Sequence, residues 1–502
     1  MKLRELTILS SLLAAPAAAH AGGLFLPGSG AISTSRAGAA IASADDGEAL
    51  SINPAGLAKT RGTTITLSAA LIQYSMQFTR SGTYDALSTD DQPYEGAAYA
   101  TVKNDPSLPF GIGAVQPVPV AAITTDLGGL IPKLRVAVGV YAPNAYPFRN
   151  MSQGYVFNGD YTVAPPPTRY DIMEQDGAVI LPSLALAYSI TPKLDVGVRL
   201  SWGFAQLKST VALWGDPDNY EENVKKDGTL AADVTDSFIP NGALGLTFRP
   251  TPHLELAAVW TSAMPIQAKG TAQSEIGPAA GGGLGGVTIH PVDDAGARCA
   301  PGGTINELKA CVGLQLPMSA VIGGRYKVLD GGGALKGDLE LNVGWENWGK
   351  RCNFIADPAC TSPGQYRVII DAEPHIDGVP APAFKDAVIE HRFKDTFSLR
   401  LGGSYHVPLG AGPAANRIIL RGGVGYDTRA AEDGWLRADL DGAGRLTTTA
   451  GAAYRTQRFE VNVGGGYVYE GKNTNPGTCN PTATMEGCRG NGSENPIDQR
   501  RG

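Results

Sequence analysis

The sequence predicts an all-β fold: an antiparallel β-barrel that spans an outer membrane. Three observations support this prediction. Short segments alternate strictly between apolar and polar residues, their connections are short at one end and long at the other, and the chain begins with a secretory signal. No apolar run of about 18 residues, the length that a membrane helix needs, follows that signal. Barrel strands alternate and therefore give only a weak signal in any hydropathy average.

Residues 1–21 have the features of a signal peptide. Lys2 and Arg4 form a basic start, an apolar stretch follows, and Ala19-His20-Ala21 is a small-residue cleavage site. The apolar stretch is too short to span a membrane and no stop-transfer pattern follows it. The mature protein is therefore expected to begin near Gly22 and to be exported.

Composition excludes two other classes of protein. With 43% hydrophobic and only 18% charged residues, the chain has too much apolar material to be disordered. A net charge of −7, from 41 basic and 48 acidic residues, argues against a nucleic-acid partner.

The six cysteines fall in three close pairs, which favours local disulfides formed in an oxidising compartment. A metal site is disfavoured because no pair has the two-residue spacing of a zinc knuckle. The three predicted disulfides join Cys299 with Cys311, Cys352 with Cys360, and Cys479 with Cys488.

The segment from Leu194 to Phe204 shows the alternation most clearly. Its even positions are apolar or aromatic, whereas its odd positions are polar, charged or glycine. Such a segment has one apolar face only if it is extended, because side chains alternate across a strand with period two.

Thirteen segments of this kind follow one another along the chain. They start near Thr63, Val118, Leu134, Ala178, Leu194, Ser237, Leu254, Pro317, Asp338, Asp395, Arg417, Leu446 and Phe459. Their connections alternate between short turns, such as Thr191-Pro192-Lys193, and long polar loops. The long loops cover about 80–116, 144–177, 210–236, 271–313, 351–394 and 428–445. This is the layout of a transmembrane barrel, with its short turns on the periplasmic side.

Aromatic residues lie late in these segments and predict two girdles, one at each membrane interface. Trp202, Trp260, Trp345, Tyr426 and Tyr467 precede long loops, whereas Tyr188, Tyr326, Tyr405 and Tyr454 precede short turns. A soluble β-sandwich would also alternate, but it would not need this asymmetry between its two rims.

Residues 22–62 precede the first strand and are rich in Ala, Gly and Ser. They have too few large apolar side chains for a core of their own, so a plug inside a wide barrel is the better interpretation. The segment resembles the hatch of the FadL/TodX family of outer-membrane transporters for long-chain fatty acids and aromatic hydrocarbons. The similar motifs are Gly28-Ser29-Gly30, Ser35-Arg36-Ala37-Gly38, Ala44-Asp45-Asp46 and Asn53-Pro54-Ala55-Gly56-Leu57, followed downstream by Val140-Tyr141-Ala142-Pro143, Leu181-Pro182-Ser183 and Leu316-Pro317-Met318.

The resemblance implies a fourteen-stranded barrel, over residues 63–470, that is plugged by the hatch. It also implies energy-independent uptake of long-chain fatty acids or other hydrophobic molecules, without a cofactor or catalysis. Cargo would be captured among the long loops, held in a lumen pocket, and released by hatch rearrangement, with exit through a gap in the wall. The protein would be a monomer among the phospholipid and lipopolysaccharide of a Gram-negative outer membrane. Residues 471–502 form a polar tail in which the expected final strand is missing.

Candidate functional residues follow from this resemblance and from residue chemistry. The hatch candidates are Arg36, Asp45, Asp46, Asn53, Pro54 and Ala55. Tyr141, Pro143 and Pro147 mark a candidate kink for the lateral gate, since proline cannot donate to a strand ladder; a strand that simply ends at the rim is the alternative. Inward-facing arginines suit a carboxylate, but acidic residues also face inward, so ordinary pairing with these lumen acids is the favoured interpretation. The arginines are Arg135, Arg199, Arg400 and Arg421.

Two other functional classes stay open at this point: a general diffusion pore, and an outer-membrane enzyme or adhesin. An open pore would not need a long plug of small residues. A hydrolase would need a Ser/His pair at the lumen edge, and among the histidines only His406 lies within a predicted strand.

Overall fold

The structure is a computed structural model. It describes residues 25–87, 91–105, 115–145, 148–215, 221–280, 286–410, 412, 415–432, 435–440 and 442–474. The predicted signal peptide, Pro147 and the part of the tail from residue 475 onward lie outside the described residues. No helix in the described part of the chain is long and apolar enough to cross a membrane.

Antiparallel strands make up most of the described chain. They are β1 (Thr63–Ile72), β2 (Gln77–Phe78), β3 (Val102–Lys103), β4 (Gln116–Thr125), β5 (Leu134–Tyr141), β6 (Arg149–Asn150), β7 (Glu174–Thr191), β8 (Leu194–Leu213), β9 (Gly228–Thr251), β10 (Leu254–Thr261), β11 (Met264–Ile276), β12 (Val287–Pro291), β13 (Leu308–Leu316), β14 (Ser319–Leu329), β15 (Leu335–Glu346), β16 (Gln365–Ile376), β17 (Val379–Pro380), β18 (Ala387–Glu390), β19 (Thr396–Pro408), β20 (Arg417–Asp427), β21 (Arg445–Arg455) and β22 (Glu460–Tyr469). Short helices cover Ala31–Thr34 and Ala49–Ile52, and 3₁₀ turns cover Pro54–Lys59 and Leu127–Gly129.

Thirteen of these strands form the barrel wall, each hydrogen-bonded to the next along the chain. Their order is β1, β4, β5, β7, β8, β9, β10, β14, β15, β19, β20, β21 and β22. They coincide with the thirteen alternating segments that the sequence predicts. Within the described residues, no backbone ladder joins β22 to β1. The predicted absence of a final strand concerns residues from 475 onward, which the structure does not describe.

The alternation sorts side chains as predicted. On β8, Leu200 and Trp202 point outward and are 64% and 56% exposed, whereas Arg199 between its apolar neighbours is 1% exposed. The outward set forms the apolar band that faces lipid, since exposed aliphatic and aromatic side chains recur on nearly every wall strand. The inward set is available to line the lumen.

Several long connections are not loops throughout, which differs from the sequence-based expectation. Beyond the extracellular end of β10, β9 pairs with β11 instead of β10. The sheet then continues, because β11 pairs with β13 and β13 pairs with β16. These strands occupy parts of 271–313 and 351–394, and β8 and β9 also continue into the predicted loop at 210–236. Their alternation is weak in the sequence because a strand above the bilayer need not carry apolar side chains on its outer face.

Disulfides close two of the extracellular connections, as the cysteine spacing predicts. Cys299 is bonded to Cys311 and Cys352 to Cys360, with sequence separations of 12 and 8. Both bonds join near neighbours along the chain, so they restrain local loops rather than linking distant parts of the barrel.

The third predicted disulfide falls outside the part of the chain that the structure describes. Its two members, Cys479 and Cys488, both lie outside the described residues, which end at residue 474. The pairing of Cys488 with Cys479 is therefore not confirmed here and stays a prediction from their spacing.

Candidate functional site

The segment from Phe25 to Thr60, here called the hatch segment, lies inside the barrel. Its small side chains pack against small wall residues: Leu50 and Leu57 are fully buried in a cluster with alanines on β4, β5 and β7. Those wall alanines are Ala122, Ala137, Ala185 and Ala187. Ala, Gly and Ser dominate the segment because its backbone passes close to the wall, where larger side chains would not fit.

Asn53 organises the centre of this segment. Its side-chain Oδ1 accepts a hydrogen bond from Ala55 N at 3.0 Å, which caps the 3₁₀ turn that begins at Pro54. Its Nδ2 donates to Ile41 O at 2.8 Å and to Thr247 Oγ1 on the wall at 3.4 Å. The Asn53-Pro54-Ala55 motif therefore ties two parts of the hatch segment together and touches β9.

Paired glycines on the wall receive this motif. Gly197 on β8 and Gly245 on β9 are register partners. A Cβ on either residue would lie within 3 Å of atoms of the Asn53-Pro54-Ala55 turn. A second pair, Gly402 and Gly423, receives the backbone at Arg36 in the same way. Glycines without a Cβ thus leave room in the wall at the points where the hatch segment comes closest to it.

Arg36 anchors the hatch segment electrostatically. Its guanidinium lies 3.0 Å from Asp338 and 3.3 Å from Glu340, both on β15, and all three side chains are buried. Glu340 also accepts hydrogen bonds from the backbone of Ala42 at 2.8 Å and Ser43 at 3.0 Å. These charge-assisted bonds connect the segment to a wall strand about 300 residues away, with separations of 302 and 304 residues.

The other two acidic hatch candidates are arranged differently. Asp46 accepts a hydrogen bond from Glu48 N at 3.1 Å, within the segment itself. Asp45 is exposed and interacts through space with Arg455 on β21. Glu48, which the sequence did not single out, is buried and accepts from the backbone of Ile32 and Ser33 at 3.0 Å.

The four candidate arginines face inward, and each is held by groups of this chain. Arg135 donates to Thr60 O, Arg199 to Leu50 O and Asn241, Arg400 to Asp427, and Arg421 to Glu460 and Asn462. A fatty-acid carboxylate would have to exchange with these partners, so carboxylate binding by the four arginines stays a prediction.

Ser404 and His406 form the only lumen arrangement that resembles a hydrolase pair among the described residues. Ser404 Oγ lies 3.1 Å from His406 Nε2, but it also lies 2.7 Å from Asp338 Oδ1. The hydroxyl proton is therefore directed at a carboxylate, and His406 Nδ1 has no partner in the described chain that would orient the ring. This arrangement lacks the order of contacts that activates a serine nucleophile.

A cluster of buried apolar side chains lies inside the barrel above the hatch segment. Along β8, the contacts with the hatch are at Gly197 and Arg199, and the cluster begins at Ala205, nearer the extracellular end. The cluster, here called the apolar passage, consists of Val120, Tyr141, Leu181, Ala205, Leu230, Val234, Ile239, Met264, Ile266, Ala268, Ala272, Ile289, Leu308, Ala310, Leu316, Ile370 and Ala372, with Phe25 and Phe384 among the side chains packed against it.

The wall is interrupted next to this passage. Among the described residues, the β5–β7 ladder ends at Tyr141 opposite Leu181, and pairing resumes where Arg149 of β6 meets Gln175. Residues 142–145, which include Pro143, leave the ladder, and residues 176–180 of β7 have no register partner on that side within the described chain. We call this interruption the first gap. It contains Pro143 of the predicted kink.

The start of the hatch segment occupies the first gap. Phe25 forms a β-bridge with Ala145, and Leu26 N donates to Asn144 O at 2.6 Å. The Asn144 side chain donates in turn to Gly28 O at 2.9 Å and to Pro27 O at 3.2 Å. Sequence reasoning did not single out Asn144, because its partners lie more than a hundred residues earlier in the chain.

These features define a class of protein: an outer-membrane barrel whose lumen holds its own N-terminal segment beneath an apolar passage. The chain belongs to the family described as outer membrane protein transport protein (OMPP1/FadL/TodX), whose model matches residues 12–487. It is accordingly an outer-membrane transport protein and not an enzyme. No curated protein sequence matches the chain.

Solved structures share the fold. A FadL homologue from Pseudomonas aeruginosa superposes with a TM-score of 0.59 at 14% identity, over 89% of this chain and 90% of that one. The toluene transporter TbuX of Ralstonia pickettii gives 0.53 at 15% identity, over 89% and 99% of the two chains. The toluene transporter TodX of Pseudomonas putida gives 0.53 at 14% identity, over 88% and 92%.

Proposed function

We propose that this protein carries hydrophobic compounds, such as long-chain fatty acids or monoaromatic hydrocarbons, passively across the outer membrane. Cargo enters between the extracellular loops, moves along the apolar passage, and leaves sideways through the first gap when the hatch segment shifts. The observation that supports the proposal is the continuous cluster of buried apolar side chains from Ile289 and Ile370 to Tyr141 and Leu181 beside the first gap, which we take as the route of the cargo.

The chemistry of the passage suits an apolar cargo. Its members are aliphatic side chains, alanines, one methionine and one tyrosine. Each methylene that moves from water into such a lining gains about 0.8 kcal/mol. The lower lumen, in contrast, is filled by the hatch segment and by buried ion pairs such as Arg36–Asp338, which an apolar molecule could not replace without leaving charges unpaired.

The first gap provides the exit in this proposal. An interrupted ladder leaves room in the wall without the cost of breaking strand-to-strand hydrogen bonds, so that only the bonds between the hatch segment and Asn144 have to open. The hatch segment closes it through Phe25, Leu26 and the carbonyls that Asn144 binds. Movement of the hatch segment away from Asn144 would open a route from Tyr141 to the surrounding lipid.

The direct test is uptake by whole cells. Labelled oleate and labelled toluene are compared in cells with and without the gene, and faster uptake of at least one of them in the presence of the gene is expected. Equal rates with and without the protein for both compounds would contradict the proposed transport. The ratio between the two compounds assigns the preferred cargo.

Ile239→Glu places a charge in the apolar passage, where the native side chain is fully buried. We expect uptake to fall at least tenfold, because the cargo would have to pass a desolvated carboxylate. Ile239→Val, which keeps the lining apolar, is the matched control and should retain most of the uptake. Outer-membrane levels and heat-modifiable migration of both variants show whether the barrel has assembled.

A further inference from the structure

The wall has a second interruption, on the other side of β8 from the first gap. β9 pairs with β10 up to Ala243 opposite Thr261, and it pairs with β11 from Thr235 opposite Lys269. Between these points, in a stretch the structure describes throughout, residues 236–242 and 262–268 have no register partners across the seam. One backbone hydrogen bond, from Ser262 N to Gly242 O at 2.8 Å, remains at the lower end. We call this interruption the second gap.

Side chains replace the missing ladder at both ends of the second gap. Asn241 Nδ2 donates to Ser262 O at 2.9 Å and lies 3.1 Å from Ser262 Oγ. At the upper end, Asp236 Oδ2 accepts from Gln267 N at 2.7 Å. Prolines stand on both sides of the opening between them, at 240 and 265, and neither can donate a backbone hydrogen bond. Apart from the backbone bond between Ser262 and Gly242, the wall is therefore held together here by side chains that can change rotamer.

The second gap lies between the apolar passage and the lipid-facing side of the wall. Ile239, Met264 and Ile266 point inward from its two edges and belong to the passage. Phe238 points outward beside them and is 67% exposed. The gap lies just above Trp260 of β10, one of the aromatic residues of the outer girdle. A molecule in the passage is thus one layer of side chains away from the outer boundary of the bilayer.

The closing contact of the second gap is connected to the hatch segment. Arg199 Nη2 donates to Asn241 Oδ1 at 2.8 Å, and Arg199 Nη1 donates to Leu50 O at 3.0 Å and Ser51 O at 3.3 Å. The Arg199 guanidinium also stacks on the ring of Tyr141, 4.8 Å from its centroid, at the edge of the first gap. One buried cation therefore contacts the hatch segment and the edges of both gaps.

We propose that the second gap is a second side passage for hydrophobic molecules, closed by Asn241 and Ser262 and linked to the hatch segment through Arg199. Arg199 acts as a positioning residue: while Leu50 and Ser51 accept from it, it holds the Asn241 amide against Ser262. When the hatch segment moves, Arg199 loses these carbonyls, and the Asn241 side chain is free to turn. The inference rests on the proposed function, because it assumes cargo in the apolar passage.

Two engineered disulfides separate the contributions of the two gaps. Asn241→Cys with Ser262→Cys locks the second gap, and Phe25→Cys with Ala145→Cys locks the first. Uptake of labelled oleate and toluene is measured for each locked protein, for the doubly locked protein, and for each after reduction. The unmodified protein receives the same reductant, because its native disulfides are reduced as well.

We expect locking of the second gap alone to lower uptake at least twofold, with recovery on reduction. The protein locked at the first gap should keep a residual uptake that the double lock abolishes. Asn241→Ala removes the side-chain bonds from Asn241 to Ser262 and leaves only the bonds between Ser262 and the Gly242 backbone, so it should raise uptake at least twofold when the first gap is locked. This variant keeps the inference testable even if a cysteine pair disturbs assembly.

The outcomes distinguish this inference from the proposed function. If the second lock and Asn241→Ala leave uptake unchanged, and the double lock behaves as the first lock alone, the second side passage is excluded while exit through the first gap stands. If neither lock nor their combination lowers uptake, lateral exit itself fails, and the inference fails with it.

Discussion

Gly197 and Gly245 show how single residues control the position of the hatch segment. Each lacks the Cβ that would collide with the Asn53-Pro54-Ala55 turn. We predict that Gly197→Ala or Gly245→Ala displaces the turn and increases leakage of polar solutes through the barrel. Gly324→Ala on β14 is the matched control, because its Cβ would make only an ordinary contact at 3.5 Å with Leu256. Antibiotic sensitivity or sugar-swelling rates measure the leak, and equal values for all three variants would contradict the prediction.

Asp227 shows the effect of burial on a carboxyl group in the extracellular loops. Burial raises its pKa to about 6, although Arg169 and Tyr170 oppose the shift; the nearby Glu222 adds to it. The folded state therefore keeps this proton at a pH where the unfolded chain has lost it. The contribution of Asp227 to stability is fully present below about pH 4 and is lost as pH rises through 6.

We accordingly predict that the loops around Asp227 become more resistant to opening as pH falls from 7 to 5, by about 1 kcal/mol in opening free energy. Asp227→Asn carries no titrating proton and should show a smaller change. Hydrogen exchange of residues 221–230 at the two pH values provides the measurement. A pH response of the variant equal to that of the unmodified protein would assign the effect to another group, such as Asp171, whose pKa burial also raises to about 6.

Among the elements of the fold, the hatch segment is the one that distinguishes a plugged transporter from a diffusion pore. Deletion of residues 22–55 should raise passive permeability to polar solutes, because the segment that Arg36 anchors to β15 no longer fills the lower lumen. Single-channel recording in planar bilayers tests this directly. We expect low conductance from the full protein and a large, steady conductance after the deletion; a wide open pore in the full protein would support the diffusion-pore alternative.

The elements also show what the sequence can predict. Period-two alternation located all thirteen wall strands, because lipid on one side and lumen on the other impose opposite chemistry on successive residues. The strands above the bilayer were missed, since no lipid enforces that pattern there. The second gap could not be predicted either: Pro240 and Pro265 are visible, but their position across one seam depends on a register that alternation alone does not fix.

The same limit applies to the candidate site. Motifs local in sequence, such as Asn53-Pro54-Ala55, could be recognised, and the structure gives them defined contacts. The partners of Arg36, Asn144 and Arg199 could not, because they come from strands and turns that are distant in sequence. The alternation was enough to predict that the four arginines point inward. Their hydrogen-bond acceptors could be identified only from the packing of the folded chain.

Cysteine pairing illustrates the same contrast. Close spacing was enough to predict the bonds of Cys299 with Cys311 and of Cys352 with Cys360, because a short loop brings its two ends together. Spacing alone still supports the bond between Cys479 and Cys488, which lie beyond the part of the chain that the structure describes.

For the whole molecule, the outward apolar band makes lipid or detergent obligatory. Leu67, Val463 and Tyr467 are 80%, 72% and 68% exposed in the isolated chain, and many other wall residues resemble them. We predict that the mature protein aggregates in water without detergent and is a monomer in detergent, with heat-modifiable migration on gels. Light scattering with mass analysis tests this, and a dissolved monomer without detergent would contradict the assignment of this face to lipid.

The length of β9 has a consequence for where cargo is first met. It contains 24 residues, whereas about 10 residues of tilted strand cross the hydrocarbon layer. About 14 residues, or about 45 Å of strand, therefore lie beyond it. The mouth of the barrel therefore extends well beyond the hydrocarbon layer, and under the proposed function we predict that sparingly soluble molecules are collected there before they dissolve in the lipid.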